Sequence, residues 1–587
     1  MLPKWTVMVH LAGDNNLSAE CVYALTEMRR IGSNKDVAVI ANLNTSVHSA
    51  TSLFITKGNT PGETNEKLVK SRDLRLEREA VALARSANRR AGNTGEGDGG
   101  PVRKSYFDSI FDFFQECVTN YPAQHYMVVL SGHGAGVIGN FLPEEEGDRI
   151  DSLTIISMAQ LVAKVAGAIR TQNGLSEKVQ AIDILGLDNC LMSMTEVAYI
   201  VNNSAKVMIG AEGFEPMAGW PYARVLDAVR DLARDTANGG TLAQVKDLSK
   251  RIVCDYVNHY RDYQAAGVSV DLSACDLSQS EELMWAVNSL AQVLLEYLPD
   301  HELDNGHGKT AELRNALVLA HWEAQPYKNE QYTDLYDFCE RLKFYCGLYD
   351  VRRACQNVMN VISGSEYEEE AMEADNAFSA LVGVKGQTKD NPISNFQKMP
   401  GFILKSCYSG LTVQYSFGVS IYFPWAEEPA ALGEYQNVYF AENSRWIEFL
   451  RAYFKATKRN VRPGRNMLAG RPDLLRSFDE EVTGELFNVA SNSGPVFPSN
   501  RNGSVNKNGS VNKNGSVNKD LGNFIGSMRN PPIEFDECVC EVDPSSNGGT
   551  QDKAAKQKGK DARITASSGK AKSVATRKSV KRARSSR

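Results

Sequence analysis

Five short runs of apolar and β-branched residues constrain this chain more than any other feature. They are 5–11 (WTVMVHL), 37–43 (VAVIANL), 126–130 (YMVVL), 181–187 (AIDILGL) and 206–210 (KVMIG). Each is short for a helix and rich in residues that suit extended backbone. Between them lie stretches with apolar residues at helical spacing, at 17–31, 106–118, 154–169 and 191–201. Strands alternating with helices predict an α/β fold, a mostly parallel sheet with helices on both faces. Such sheets place ligands at the carboxyl ends of their strands. The turns that end these runs are therefore where chemistry is expected.

Two of those turns carry reactive side chains. The run 126–130 leads into Ser131-Gly-His133-Gly-Ala-Gly136. Glycines on both sides of His133 allow a sharp turn and let backbone N–H groups approach a ligand. The run 181–187 leads into Asp188-Asn189-Cys190. With a helix expected from residue 191, Cys190 would sit at a helix start, where backbone N–H groups favour the reactive thiolate. A histidine base beside a thiol, with a donor for an oxyanion, is what acyl transfer needs. The plain structural readings are a histidine that merely ends a strand and a cysteine that is simply core. Asp188 has two readings as well. It could lie in a pocket beside the nucleophile and bind a Lys or Arg side chain, or it could cap the following helix.

The rest of the chain divides by composition. Residues 1–275 form the expected α/β domain, with 51–56 as an edge strand and 57–101 as a polar, exposed insertion. Residues 276–455 read as a mostly helical second subdomain or an elaborated continuation, with a strand-like run at 418–423 (GVSIYF). Residues 456–587 read as a disordered tail, because 502–519 is a polar repeat of Asn-Gly-Ser-Val-Asn-Lys that buries nothing. From Gln551 to Arg587 there are 13 Lys and Arg against 2 Asp, a local charge of +11. With a total of −6, the remainder carries −17. An acidic body with a basic tail follows. Contact with nucleic acid is not expected except through that tail.

The 11 cysteines are scattered, without the short spacings of a disulfide scaffold, and fit a reducing compartment. No signal peptide is visible at the start and no apolar stretch is long enough to span a membrane. A cytoplasmic location is the expectation, with non-classical export left open. Other motifs fail on inspection. Residues 132–136 lack the third glycine of a dinucleotide loop, and Leu303 stands where a phosphate loop ending at Gly308-Lys309-Thr310 needs its first glycine. Cys538 and Cys540 have no second pair at zinc spacing. The acidic run 366–375 reads as a solvated helix face rather than a calcium site. No metal site is expected from the residues themselves.

These residues together resemble the clostripain family of cysteine peptidases, relatives of caspases, gingipains and legumains. The resemblance runs over roughly residues 4–455. It rests on Trp5-Thr-Val-Met-Val with Gly13-Asp14-Asn15, on Ser131-Gly-His133-Gly, and on the segment from Asp188-Asn-Cys190 to Tyr199. It continues through Ala211-Glu212, Gly219-Trp-Pro-Tyr222, Gly418-Val-Ser-Ile-Tyr-Phe-Pro424 and Trp446-Ile-Glu-Phe-Leu450. It implies a caspase-like fold and hydrolysis of protein or peptide substrates after Arg or Lys. It implies that Cys190 forms the acyl-enzyme, that His133 moves the protons, and that the N–H groups of Gly134 and Cys190 hold the oxyanion. It places Asp188 in the pocket for the basic side chain. Family members are often self-processed between the His and Cys segments, and some need calcium. Here the acidic segment 143–151 reads as an exposed loop, and Arg149–Ile150 is the candidate processing bond. Asn189 departs from the small residue common at its position.

Three functions remain open on these grounds. One is an active endopeptidase. Another is a catalytically silent relative that uses the cleft as a binding module. The third is an acyl transferase or ligase that passes the acyl group to an amine.

Overall fold

The structure is a computed structural model, and it describes residues 2–45, 51–57, 67–71, 105–146, 149–298, 309–364 and 401–457. The strands are β1 (Trp5–Gly13), β2 (Val37–Thr45), β3 (Thr51–Phe54), β4 (Lys67–Ser71), β5 (His125–Ser131), β6 (Phe141–Glu146), β7 (Arg149–Leu153), β8 (Ile182–Asp188), β9 (Ala205–Gly210), β10 (Val270–Asp276), β11 (Pro326–Tyr327), β12 (Tyr332–Asp334), β13 (Ile403–Ser409) and β14 (Ser420–Tyr422). Nine of them form one sheet in the order β13-β10-β9-β8-β5-β1-β2-β3-β4. The centre is parallel, from β9 through β8, β5 and β1 to β2. The outer strands run antiparallel on both flanks. The expected α/β architecture is thus present, with a mostly parallel core.

Helices cover both faces. On one side lie α1 (Ser18–Ile31) and, later in the chain, α5 (Tyr222–Asp235) and α6 (Leu242–Tyr260). On the other lie α2 (Tyr106–Asn120), α3 (Ile155–Asn173) and α4 (Thr195–Val201). The alternation of strand side chains decides this. In β5, Val128 and Leu130 enter the core that contains Phe113 and Phe114 of α2, while Met127 and Val129 enter the core that contains Val225 and Val229 of α5. Helix α3 begins where its sequence provides a cap: Thr154 Oγ1 accepts from the Ser157 N–H at 3.2 Å.

The segment beyond residue 276 hands strands back to the body. It forms α7 (Ser280–Tyr297), α8 (Lys309–Glu323), α9 (Leu335–Tyr345), α10 (Tyr349–Ser363), α11 (Pro429–Tyr435), α12 (Tyr439–Asn443) and α13 (Trp446–Thr457). Strand β13 from this segment pairs antiparallel with β10 and closes one edge of the main sheet. Strands β11, β12 and β14 make a small separate sheet, and Ser420 of β14 bridges to Met194.

Four expectations need correction. The helix expected from residue 191 starts at Thr195. The segment expected as an exposed acidic loop is the β6–β7 hairpin, and Glu144 within it is buried, accepting from Asn44 Nδ2 at 2.6 Å. The insertion 57–101 contributes β4, which pairs with β3, so 51–54 is not the sheet edge. Cys254 in α6 and Cys407 in β13 are disulfide-bonded, against the expectation of reduced thiols throughout. The rest of the insertion, the acidic run 366–375, Cys538 and Cys540, and the tail from 458 onward lie outside the described residues.

Candidate active site

The chain leaves the sheet in opposite directions on either side of β1, going to β2 on one side and to β5, β8 and β9 on the other. That reversal opens a crevice at the carboxyl ends of β1 and β5. Three turns meet there. Strand register fixes two of them: Leu11 pairs with Ser131, and Ser131 pairs with Asp188. His133 and Cys190 each lie two residues beyond that row, on neighbouring parallel strands.

The two turns are sewn together. The Gly132 N–H donates to the Asp188 carbonyl at 3.2 Å. Asn189 Nδ2 donates to the Gly132 carbonyl at 2.9 Å, which gives the side chain beside Cys190 a specific bond to the His133 turn. Gly134 approaches so closely that a Cβ there would lie 2.5 Å from the Cys190 carbonyl oxygen. Only glycine permits that approach.

The third turn follows β1. Asn15 shapes it, accepting from the Leu17 N–H at 2.8 Å and donating to the Pro143 carbonyl at 2.8 Å. Its neighbour Asn16 presents Oδ1 to His133 Nε2 at 2.6 Å. An amide oxygen only accepts, so in this bond Nε2 is the donor. The sequence reading missed Asn16. The turn Gly13-Asp14-Asn15-Asn16 at the end of a central strand was the available signal.

Cys190 does not open a helix. Leu191 follows it in left-handed backbone, with φ 65°, and the turn is held by Leu191 N–H to Gly213 O at 2.9 Å and Ser193 N–H to Ala211 O at 2.8 Å. The Glu215 N–H donates to Cys190 Sγ at 3.3 Å. Burial nonetheless pushes the thiol up to about 11, with the Asp188 charge adding to the rise. With no helix opening at Cys190, the helix-start argument for a thiolate does not hold here.

Asp188 caps no helix; the residue before α4 is Met194, which makes no side-chain cap. It is only 4% exposed, and its carboxylate accepts from Ser131 Oγ at 2.7 Å, Tyr222 OH at 2.7 Å and the Trp220 N–H at 3.0 Å. Burial raises its pKa despite these bonds. Glu215, also buried, accepts from Trp220 Nε1 at 3.4 Å, and burial followed by the Asp188 charge holds it well above the usual carboxylate range. Glu215 was not singled out from sequence, because only the fold brings it beside Cys190.

Residues 9–452 match the model of the clostripain family. The chain belongs to that family. It is a cysteine peptidase, a hydrolase. Clostripain from Hathewaya histolytica is 23% identical over 381 residues, covering 59% of this chain and 68% of that protein. Among solved structures, the chain is similar to a secreted C11 cysteine protease from Bacteroides thetaiotaomicron in complex with an irreversible peptide inhibitor, at 15% identity and TM-score 0.45, covering 76% of this chain and 99% of that one. An inactive zymogen C11 protease from Parabacteroides distasonis is similar at 15% identity and TM-score 0.42, with the same coverage of 76% and 99%.

The backbone of Arg149 opens β7 opposite Glu146, and Ile150 beside it is exposed. Among the described residues no group of three or more His, Cys, Asp or Glu side chains is arranged to hold a metal ion. No described helix is long and apolar enough to cross a membrane.

Proposed function

We propose that this peptidase cleaves protein or peptide substrates after Arg or Lys, with Cys190 as nucleophile and His133 as proton carrier. The register that sets the two turns side by side supports the pair. In the reaction the Cys190 proton passes to the His133 imidazole as sulfur bonds to the substrate carbonyl carbon. The carbonyl electrons move onto oxygen, which the N–H groups of Gly134 and Cys190 receive. Collapse of that oxyanion breaks the C–N bond, and His133 gives its proton to the leaving amine. Water then attacks the thioester, losing a proton to His133; the C–S bond breaks, His133 returns that proton to the Cys190 sulfur, and the acid product leaves.

The buried Asp188–Glu215 pair supports the preference for basic residues. A guanidinium or ammonium reaching it would meet two carboxyls whose ionised forms burial disfavours and a cation would favour, a gain open to no neutral side chain. The Arg149–Ile150 bond sits in an antiparallel hairpin, between the two active-site segments in the sequence, and is the proposed processing site.

The test is fluorophore release from short peptides ending in Arg, Lys or a neutral residue, with and without calcium, using the parent chain, Cys190→Ala and Glu215→Gln. The expected result is activity on Arg and Lys peptides, none in Cys190→Ala, and a selective loss on basic peptides in Glu215→Gln. Equal turnover of neutral peptides would overturn the specificity. Activity in Cys190→Ala would overturn the nucleophile. Intact mass and N-terminal sequencing of the active protein read the processing bond directly.

A further inference from the structure

The turn between β11 and β12 reaches across to the His133 loop from 193 residues further along the sequence. Three consecutive non-glycine residues in it, Lys328, Asn329 and Glu330, have φ of 46°, 53° and 64°. Left-handed backbone is costly for each and persists only where the surroundings impose it. The result of this turn is the position of one ammonium group. Lys328 Nζ donates to the Ala135 carbonyl at 2.6 Å, to the Ile138 carbonyl at 2.9 Å and to Tyr332 OH at 3.3 Å. Three N–H donors thus meet three acceptors, which uses the full capacity of a protonated lysine.

Tyr332 completes the clamp. Its hydroxyl donates to the Ala135 carbonyl at 2.6 Å and accepts from the Ile138 N–H at 3.2 Å. Its ring fills the hollow over Gly136, where φ is 75° and a Cβ would lie 2.5 Å from the ring. The clamped segment is the crown of the loop whose first half carries His133 and Gly134. The loop is closed at its base by the Leu142 N–H donating to the His133 carbonyl at 2.9 Å.

We propose that Lys328, together with Tyr332, is a positioning residue of the peptidase reaction, gripping the crown of the 132–139 loop so that His133 and the Gly134 N–H stay fixed against Cys190. This rests on the assignment of His133 and Cys190 as the reacting pair. A device built only for stability would not use a charge here. Burial draws the Lys328 ammonium down to about 8, so holding it protonated at neutral pH costs stability, with Glu428 and Glu434 offsetting part of that cost. What the charge supplies instead is a rigid three-point hold on two carbonyls of a glycine-rich loop, which has little rigidity of its own.

The experiment compares the full chain with Lys328→Met, Lys328→Arg and Tyr332→Phe. It reads kcat and KM on an Arg-ended peptide, the rate of Cys190 alkylation by iodoacetamide, and the melting temperature. In Lys328→Met, kcat is expected to fall between about 10-fold and 100-fold with KM within about twofold, as displacement of a catalytic group requires. Alkylation should slow, while the melting temperature holds or rises. Lys328→Arg should recover part of kcat, and Tyr332→Phe should lose kcat in the same direction. Unchanged kcat and alkylation in Lys328→Met would overturn the clamp, as would a kcat loss that merely follows a fall in melting temperature with no recovery by arginine. A parent chain inactive on every peptide would instead sink the reading beneath it, and the alkylation rates would still judge the clamp.

Discussion

His133 and Cys190 could be found from sequence because each stands in a turn directly after an apolar strand, and strand ends are visible as changes of composition. Asn16 and Glu215 could not, since their roles arise only when register sets β1, β5 and β8 side by side. Asp188 was visible, but its surroundings were not: three donors and a neighbouring carboxyl bury it. The Asn16–His133 bond carries a prediction at this scale. Removing the amide in Asn16→Ala should lower kcat roughly tenfold or more, about 1.4 kcal/mol of barrier, with little change in KM. It should also move the acid limb of the rate profile to lower pH, because the imidazolium loses an acceptor at Nε2. Asn16→Asp should move that limb the other way, since a carboxylate stabilises the charged ring. An acid limb that stays in place in both variants would reduce Asn16 to a loop contact.

At the level of elements, the central strands were legible because apolar, β-branched runs have few other fates in a chain of this composition. The β6–β7 hairpin was not, because Pro143-Glu-Glu-Glu reads as solvated loop until Asn44 is placed beside Glu144. The start of α4 was misplaced for a related reason. Leu191, Met192 and Met194 are buried at helical spacing, but the segment packs in a turn anchored on Ala211 and Gly213 rather than in a helix. Cysteine spacing likewise says nothing of partners that the packing of a helix on a sheet brings together, which is how Cys254 of α6 and Cys407 of β13 escaped notice. The bonded state predicts that alkylation of the unfolded, unreduced protein labels two fewer cysteines than after reduction. Cys407→Ser should lower stability by about 2–4 kcal/mol, read as a lower denaturant midpoint than the parent under non-reducing conditions. Equal midpoints would mean the bond constrains little.

On the scale of the whole molecule, the C-terminal segment and the sheet are joined through buried carboxyls rather than through apolar contact alone. Glu212 follows β9, Asp271 lies in β10 and Asp334 ends β12. Asp271 accepts from the Glu212 and Gly213 N–H groups at 2.7 and 3.0 Å, Asp334 from the Phe417 N–H at 2.6 Å, and Glu212 from the Gly418 N–H at 2.7 Å. Burial pushes Asp271 up to about 6. Burial and then the Asp337 charge push Asp334 up to about 8. Burial, followed by the Asp334 and Asp271 charges, holds Glu212 well above its usual range. Glu196, buried without a cation beside it, is raised to about 7. The unfolded chain releases all of these protons near pH 4. Between that point and the folded values the native state binds more protons than the unfolded one, so stability falls as pH rises. The contribution is complete below about pH 4 and lost as pH passes about 6 to 8. The melting temperature of the full chain should therefore decline from pH 6 to pH 9. Asp334→Asn, which removes the titrating group while keeping an oxygen for the Phe417 N–H, should flatten the decline. A melting temperature that is level or rising over that range, or an undiminished slope in Asp334→Asn, would show that the cluster is not what ties stability to pH.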